Sequence, residues 1–309
     1  MTIRNWTPER LADQSGKTFV VTGANSGIGF KASKRLVEAG ANLIMLCRNE
    51  NKANAAAQEL RQSASGSNSV ETIQMDLASL SSVRAAAAEV LETAPKIDAL
   101  INNAGIMFPP RRTATEEGFE LQFGVNHLGH FLLTGLLKDR VIDSEGRFVT
   151  VSSLAHKVGL RRIRFKDPNW EQGYQAALAY GQSKFANAMF GFELNRRLEA
   201  AGYASRSFIC HPGYSATNLQ STGPGRLATL MMAPANLILA QSADRGGWPI
   251  LLSATDPDAE GGAYYGPRQF REMRGAVGAC KMIEPAQDKA AAAKLWALSE
   301  QAVDLSWSV

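Results

Sequence analysis

Tyr180 and Lys184 stand four residues apart in the run Tyr180-Gly-Gln-Ser-Lys184. That spacing puts two side chains on the same face of a helix, one turn apart. A free tyrosine, with a pKa of roughly 10, is a poor base at neutral pH. A neighbouring ammonium favours its phenolate, so the pair can give a proton to an oxygen or take one from it. Far upstream lies a glycine-rich turn, Thr22-Gly-Ala-Asn-Ser-Gly-Ile-Gly29. Glycine lets backbone approach a pyrophosphate closely, and a helix beginning near Ile28 would aim free N–H groups at that anion. A proton-transfer pair downstream of a dinucleotide cradle implies hydride chemistry on a carbonyl or an alcohol.

The cradle spacing is G-x-x-x-G-x-G, through Gly23, Asn25, Ser26, Gly27, Ile28 and Gly29, rather than the commoner G-x-G-x-x-G. Cofactor choice turns on the end of the following strand, where a carboxylate would bind the ribose 2′-hydroxyl of NAD(H). Here that strand ends Leu46-Cys47-Arg48-Asn49. No acid stands at the tip, and Arg48 offers a planar fork to a 2′-phosphate. The reading is NADP(H), with NAD(H) as the alternative. Asp76-Leu77 can hydrogen-bond the adenine, although Asp76 could equally cap the next helix. Asn102-Asn103-Ala104-Gly105 supplies small residues where backbone must pass close to a ribose, and Lys184 is placed to hold the ribose hydroxyls of the nicotinamide half.

Two further features belong with Tyr180. Ser152-Ser153 ends a strand at the edge where open α/β sheets bind ligands, and a hydroxyl there can donate to a substrate oxygen. One of the two serines is expected to be a cap. Asn126 lies within Gln122-Phe-Gly-Val-Asn126-His-Leu-Gly-His, a helical run in which a buried amide needs a partner. It can hold a water that links Lys184 to solvent.

Short β-rich runs alternate with helix-period segments, the pattern of a doubly wound parallel sheet in an α/β fold. Strands are expected at 18–21, 42–47, 70–74, 99–102, 148–152 and 205–210, with a short last one at 263–266. Helices are expected at 28–39, 81–93, 119–140 and 178–200, with another after the second strand. No linker separates two compositions, so residues 1–309 read as a single dinucleotide-binding catalytic domain.

At 309 residues, 45% apolar and 20% charged, the chain can bury a large core. A net charge of +4 and a lone basic cluster at 161–166 do not make a nucleic-acid surface. Three widely spaced cysteines suggest a reducing, cytoplasmic setting, and four histidines in no ligand spacing argue against a metal. The most apolar stretch, 227–240, is broken by Pro234 and falls short of the roughly 20 residues a bilayer span needs. No integral membrane segment is expected.

The set TGANSGIG (22–29), NNAG (102–105), Asn126, Ser153, YGQSK (180–184) and His211-Pro212-Gly213 resembles the short-chain dehydrogenase/reductase family of the single-domain type. VSSLAH, VNHLGHFLL and AYGQSKFAN are similar to its retinol dehydrogenase and protochlorophyllide-reductase-like branch. The resemblance implies a Rossmann-like sheet of about seven strands and a proton relay through Asn126, Ser153, Tyr180 and Lys184. In it Tyr180 is the acid/base and Ser153 orients the carbonyl. It also implies nicotinamide contacts from Pro212, Gly213 and Thr217, and a preference of many branch members for NADP(H). Two departures stand out. Tyr180 follows Ser153 by 27 residues, so 158–177 reads as an insertion, and Ser26 stands where many NADP(H) forms have a basic residue.

Ile106 to Phe108, Trp170, Tyr174 and a small lid at 214–240 rich in Leu and Met would give an apolar substrate pocket. The expected activity is an NADPH-dependent carbonyl reductase acting on an apolar ketone or aldehyde. An NAD-dependent alcohol, sterol or retinol-type dehydrogenase is the alternative enzyme, and an NADP(H)-binding redox sensor the alternative without chemistry. Whether the chain is a monomer or a homodimer is left open.

Overall fold

The computed structural model describes residues 3–214 and 241–309. The chain enters the sheet at its middle. Strand β1 (Thr18–Thr22) leads to helix α1 (Gly27–Glu38), and β2 (Asn42–Cys47) to α2 (Glu50–Gln62). After β3 (Val70–Gln74) come α3 (Leu80–Thr93) and β4 (Ala99–Asn102). A short turn α4 (Leu121–Phe123) runs through a π-helical turn, Gly124–Leu128, into α5 (Gly129–Asp143). The second half holds β5 (Arg147–Val151), a 3₁₀ turn at Leu154–Lys157, α6 (Ala176–Ala200) and β6 (Arg206–Cys210). It closes with α7 (Ala243–Thr255), β7 (Tyr264–Gln269), β8 (Arg274–Cys280) and α8 (Lys289–Val303).

The strand order is β3-β2-β1-β4-β5-β6-β7-β8. Every pairing from β3 to β7 is parallel, so each needs a helical crossover. Alternate residues of one strand face opposite layers. Val20 joins the core under α3, α5, α6 and α8, whereas Phe19 and Val21 join the core under α1, α2 and α7. Strand order reverses between β1 and β4, and that reversal opens a crevice at the carboxyl ends of those strands.

Three expectations need adjusting. The sheet has eight strands rather than about seven, because β8 pairs antiparallel with β7. Its sequence, Arg-Gly-Ala-Val-Gly-Ala-Cys, lacks the bulky alternation that marks a strand. The single helix expected over 119–140 is interrupted by the π turn around Asn126, a feature that often marks functional positions. The insertion at 158–177 is tied down by particular contacts. The Arg164 guanidinium stacks on Trp170 at 4.2 Å and pairs with Asp167 at 2.7 Å, and Gln182 of α6 binds both Arg164 N and Pro168 O. Trp170 is therefore core. Thr217 and nearly all of the expected lid lie outside the described residues.

Tyr180 and Lys184 lie on α6, and Asn126 lies in the π turn that leads into α5; the outer faces of both helices are sealed by the C-terminal segment. Trp296 of α8 meets Trp307 at 4.4 Å between ring centroids, and Trp307 meets Phe131 of α5 at 5.1 Å. A side chain at Gly135 would strike the Trp307 indole at 2.7 Å, so only glycine leaves the indole its seat. Trp307 is 6% exposed. Trp307→Ala should destabilise the protein by about 3 kcal/mol or more. Chemical denaturation would show this as a lowered midpoint beside an unaffected control, Tyr203→Ala, at a residue 40% exposed.

Candidate active site

The glycine turn follows β1 at the crevice. Gly23 and Gly27 take the left-handed backbone region, φ +66° and +59°. A Cβ on Gly29 would come within 2.3 Å of Asn103 Nδ2 and 2.6 Å of the Gly23 carbonyl. Helix α1 begins with no side-chain cap at Ser26 and no acid in its first turn, which leaves its positive end to an anion. Asn103 Oδ1 is buried without a partner among the described residues. These features fit a dinucleotide in the turn formed by Gly23, Asn25, Ser26, Gly27, Ile28 and Gly29. Cys47, the last residue of β2, floors that turn. Burial raises its thiol to about 11 against the pull of the backbone N–H groups of Asn25, Ala24 and Gly23.

Thr22 ties this end to the rest. Its hydroxyl accepts from the N–H groups of Asn103 and Ala104, each at 2.9 Å, and meets His130 Nε2 at 2.9 Å. The other ring nitrogen of His130 lies 3.0 Å from the Asn126 carbonyl. A carbonyl only accepts, so Nδ1 carries the proton and Nε2 receives the Thr22 hydroxyl. Burial holds His130 down at about 4, which keeps that neutral tautomer at physiological pH. His130 thus joins the glycine turn, the Asn103-Ala104-Gly105 strand exit and the π turn.

The catalytic candidates meet at the end of β5. Lys184 Nζ donates to the Val151 carbonyl at 3.0 Å, and Ser152 Oγ donates to the Lys184 carbonyl at 2.7 Å. Ser152 therefore pins α6 to β5, while Ser153, half-buried, faces the crevice. Ser153 caps the 3₁₀ turn, accepting from Ala155 N at 3.2 Å, and its hydroxyl also interacts with the Tyr180 phenol. Lys184 Nζ sits 6.0 Å from the centre of the Tyr180 ring. A Cβ on Gly105 would lie 3.4 Å from Lys184 Nζ and 3.1 Å from Asn126 Oδ1, so the third glycine-bearing segment closes the same space.

Asn126 is fully buried in the π turn. Its side chain receives Ile106 N at 2.8 Å and donates to Ile106 O at 3.0 Å and Ser183 Oγ at 2.9 Å. It fixes the strand exit that continues to Phe108, whose ring packs edge-on against Tyr180 at 5.2 Å. Phe108 is left-handed at φ +57°, a strained backbone held by Gln122 Oε1 accepting from its N–H at 2.8 Å. Gln122 gave no signal in the sequence beyond a buried polar residue in a helical run. Tyr174 donates to Pro109 O at 3.1 Å and receives Gln122 Nε2 at 3.3 Å.

Arg48 is exposed at the tip of β2. Asp76 makes a local turn by accepting from Ala78 N at 2.9 Å, and it is Ser79 that caps α3. Leu77 is buried against Gly129. Pro212 and Gly213 follow β6 on the crevice side, held by Gln241 Nε2 donating to Pro212 O at 2.5 Å. Among the described residues one trio could present ligand atoms to a metal, His211, Glu272 and Cys280.

Burial sets the protonation of the site. It raises the Tyr180 phenol, and the Ser153 hydrogen bond partly offsets that rise. Burial also lowers Lys184 to about 8 from 10.5. Below about 8 the lysine is charged in both folded and unfolded chains, and the full cost of burying the ammonium is present. Between 8 and 10.5 the unfolded chain binds more protons, so this group's contribution to stability rises with pH. Lys184→Met should therefore melt above the wild type at pH 7, with the gap closing as pH climbs through that window. Thermal denaturation of both proteins from pH 7 to 10.5 would check it. The Val151 carbonyl keeps Asn187 Nδ2 as a donor at 3.2 Å in the variant.

Comparison with known proteins accords with this geometry. The family model described as short chain dehydrogenase matches residues 17–164. Retinol dehydrogenase 14 of Mus musculus is 40% identical over 306 residues, covering 94% of this chain and 86% of that one. Retinol dehydrogenase 13 of Homo sapiens is 39% identical over 295 residues, covering 94% and 85%. A crystal structure of an uncharacterized protein from Mycobacterium Paratuberculosis superposes with a TM-score of 0.80 at 38% identity, covering 99% of this chain and all of that one. Among the described residues no helix is long and apolar enough to cross a membrane. An eight-stranded Rossmann-like sheet with its glycine turn, and relatives this similar over nearly their whole length, make this chain an oxidoreductase of the short-chain dehydrogenase/reductase family, in its retinol dehydrogenase branch.

Proposed function

We propose that the chain is an NADPH-dependent carbonyl reductase that converts an apolar ketone or aldehyde to its alcohol. The observation that carries this reading is the buried Tyr180 phenol, in contact with Ser153 and one helical turn from the Lys184 ammonium. The nicotinamide cofactor, when bound, supplies the hydride. Ser153 Oγ donates a hydrogen bond to the substrate oxygen and orients it. Tyr180 gives that oxygen its proton as negative charge develops there. Lys184 stabilises the phenolate left behind and holds the ribose hydroxyls.

The glycine turn, with Asn103, Ala104 and Gly105, holds the dinucleotide, Asp76 and Leu77 meet its adenine, and Pro212, Gly213 and Thr217 meet its nicotinamide. Arg48 receives the 2′-phosphate that selects NADP(H). Its exposed guanidinium at the tip of β2 supports that assignment. Three free cysteines support a reducing cytoplasmic setting. Phe108 against Tyr180 supports an apolar substrate. The names of the relatives favour a second reading on the same residues, a retinol-type dehydrogenase for which retinal and retinol are the substrates to include.

Tyr180→Phe should lower kcat about 10²-fold to 10⁴-fold with NADPH binding preserved. Rates with a panel of aromatic, aliphatic and retinoid carbonyls, beside a fluorescence titration of NADPH, test this; undiminished turnover would refute the assignment. Arg48→Asp should move the preference toward NADH. Comparing kcat/KM for the two cofactors decides it, and an unchanged ratio would remove Arg48 from the selectivity.

A further inference from the structure

The loop between β7 and β8 carries three consecutive residues in the left-handed region, Phe270 (φ +49°), Arg271 (+55°) and Glu272 (+66°). None is glycine, so this turn is strained and must be held by its surroundings. Arg274 stacks on the Phe270 ring and Tyr214 N–H bonds the Met273 carbonyl, and Glu272 ties the turn to the crevice. Lys157 Nζ donates to its Oε2 at 2.6 Å, and His211 Nε2 lies 3.5 Å from the same oxygen. Lys157 ends the 3₁₀ turn that Ser153 caps, and His211 precedes Pro212 and Gly213. One carboxylate therefore touches both flanks of the crevice.

The protonation of His211 follows from its other contact. Gly213 N–H donates to His211 Nδ1 at 3.2 Å, so Nδ1 is the acceptor and the ring proton sits on Nε2, facing Glu272. Burial lowers the pKa of His211, against the hydrogen bond and charge of Glu272, and the ring stays neutral. The chain of contacts runs from the Lys157 ammonium to the Glu272 carboxylate, the His211 ring and the backbone of Gly213. Gly213 itself is left-handed at φ +67°, and it packs against Met273 and Pro267 of the same β7–β8 hairpin. On the other flank, His156 Nδ1 lies 2.6 Å from Ser153 O, and Tyr264 stacks on His211 at 4.9 Å.

His211, Glu272 and Cys280 put their donor atoms within 4.8 Å of one another, which invites a metal. Lys157 already supplies the cation at 2.6 Å from the carboxylate. Burial raises the Cys280 thiol to about 12, and it donates to Pro267 O at 3.4 Å. The cluster is built for an ammonium.

We propose that Glu272 is a positioning residue that clamps the Ser153 turn to the Pro212–Gly213 segment through Lys157 and His211. This rests on the reading above, in which Ser153 orients the substrate oxygen and Gly213 meets the nicotinamide. The charge on the carboxylate matters because it holds the Lys157 ammonium at 2.6 Å and faces the His211 ring, whose Nε2 lies 3.5 Å away. A neutral amide at this position keeps the shape and loses the ion pair.

The test uses Glu272→Gln, Lys157→Met and their combination in the full-length chain. NADPH and NADH affinity is read by fluorescence, and the His211 ring by ¹⁵N NMR of histidine-labelled protein without cofactor. Each single variant should weaken binding of the preferred cofactor about fivefold to tenfold, and the double variant should be no worse than either single. In the wild type the His211 proton should be found on Nε2, with its resonance shifted in Glu272→Gln. Single variants that bind both cofactors within twofold of wild type, or a His211 proton on Nδ1, would overturn the clamp. Independent, multiplying effects in the double variant would do the same. Tyr180→Phe run alongside keeps the two ideas apart. Turnover that survives it ends the catalytic reading, whereas the ring tautomer and the coupling between Lys157 and Glu272 still judge the clamp.

Discussion

A lysine ammonium only 3% exposed, answered by the carbonyl of Val151 rather than by a carboxylate, is the constraint around which this molecule is arranged. An unpaired buried charge is costly, and it persists here because its surroundings are fixed from several sides. Ser152 bonds the Lys184 carbonyl, Asn187 shares the Val151 oxygen, and the outer faces of α5 and α6 are closed by Trp296 and Trp307. Displacement of α6 from the end of β5 would cost the ammonium its acceptor. The rigidity of that helix is thus part of the electrostatics of the crevice.

The two ends of the crevice are joined through uncharged hydrogen bonds. The π turn at Gly124–Leu128 and the neutral His130 ring link Asn126 to Thr22, and Thr22 to the Asn103-Ala104 amides. A charged histidine could not accept the Thr22 hydroxyl, so the burial that lowers its pKa also preserves the connection. Such networks fix geometry because each buried donor has one good acceptor and loses it on displacement.

Much of this was legible in the residues. The glycine turn, the strand ends and the Tyr180–Lys184 spacing each follow from local backbone rules, and the structure puts all three at one sheet edge. What escaped notice depends on contacts between distant segments. Glu272 carries no local signal, and only the fold brings it to Lys157, 115 positions away in the chain. Strand β8 is built of small residues whose pairing is decided by β7. The π turn carries no local signature in Gly124-Val-Asn-His-Leu128. Asn126 was singled out as a buried amide, but its grip on Ile106 and Ser183 could be read only from coordinates.

The pKa directions around Tyr180 supply the last step. Burial raises the phenol and lowers the lysine to about 8; the first shift favours a neutral phenol, and the second opposes the ammonium without removing it at neutral pH. In the catalytic reading proposed here, the neutral phenol is the form able to give a proton to an oxygen gaining hydride. The reverse direction needs a phenolate, whose charge burial opposes and Lys184 supports only while it remains protonated. A catalyst leaves the equilibrium between ketone and alcohol untouched, but the same burial decides the pH at which each direction runs well. In that reading, reduction draws on the neutral phenol. Oxidation must draw on the ammonium, the positive charge that the fold keeps at a cost beneath the phenol.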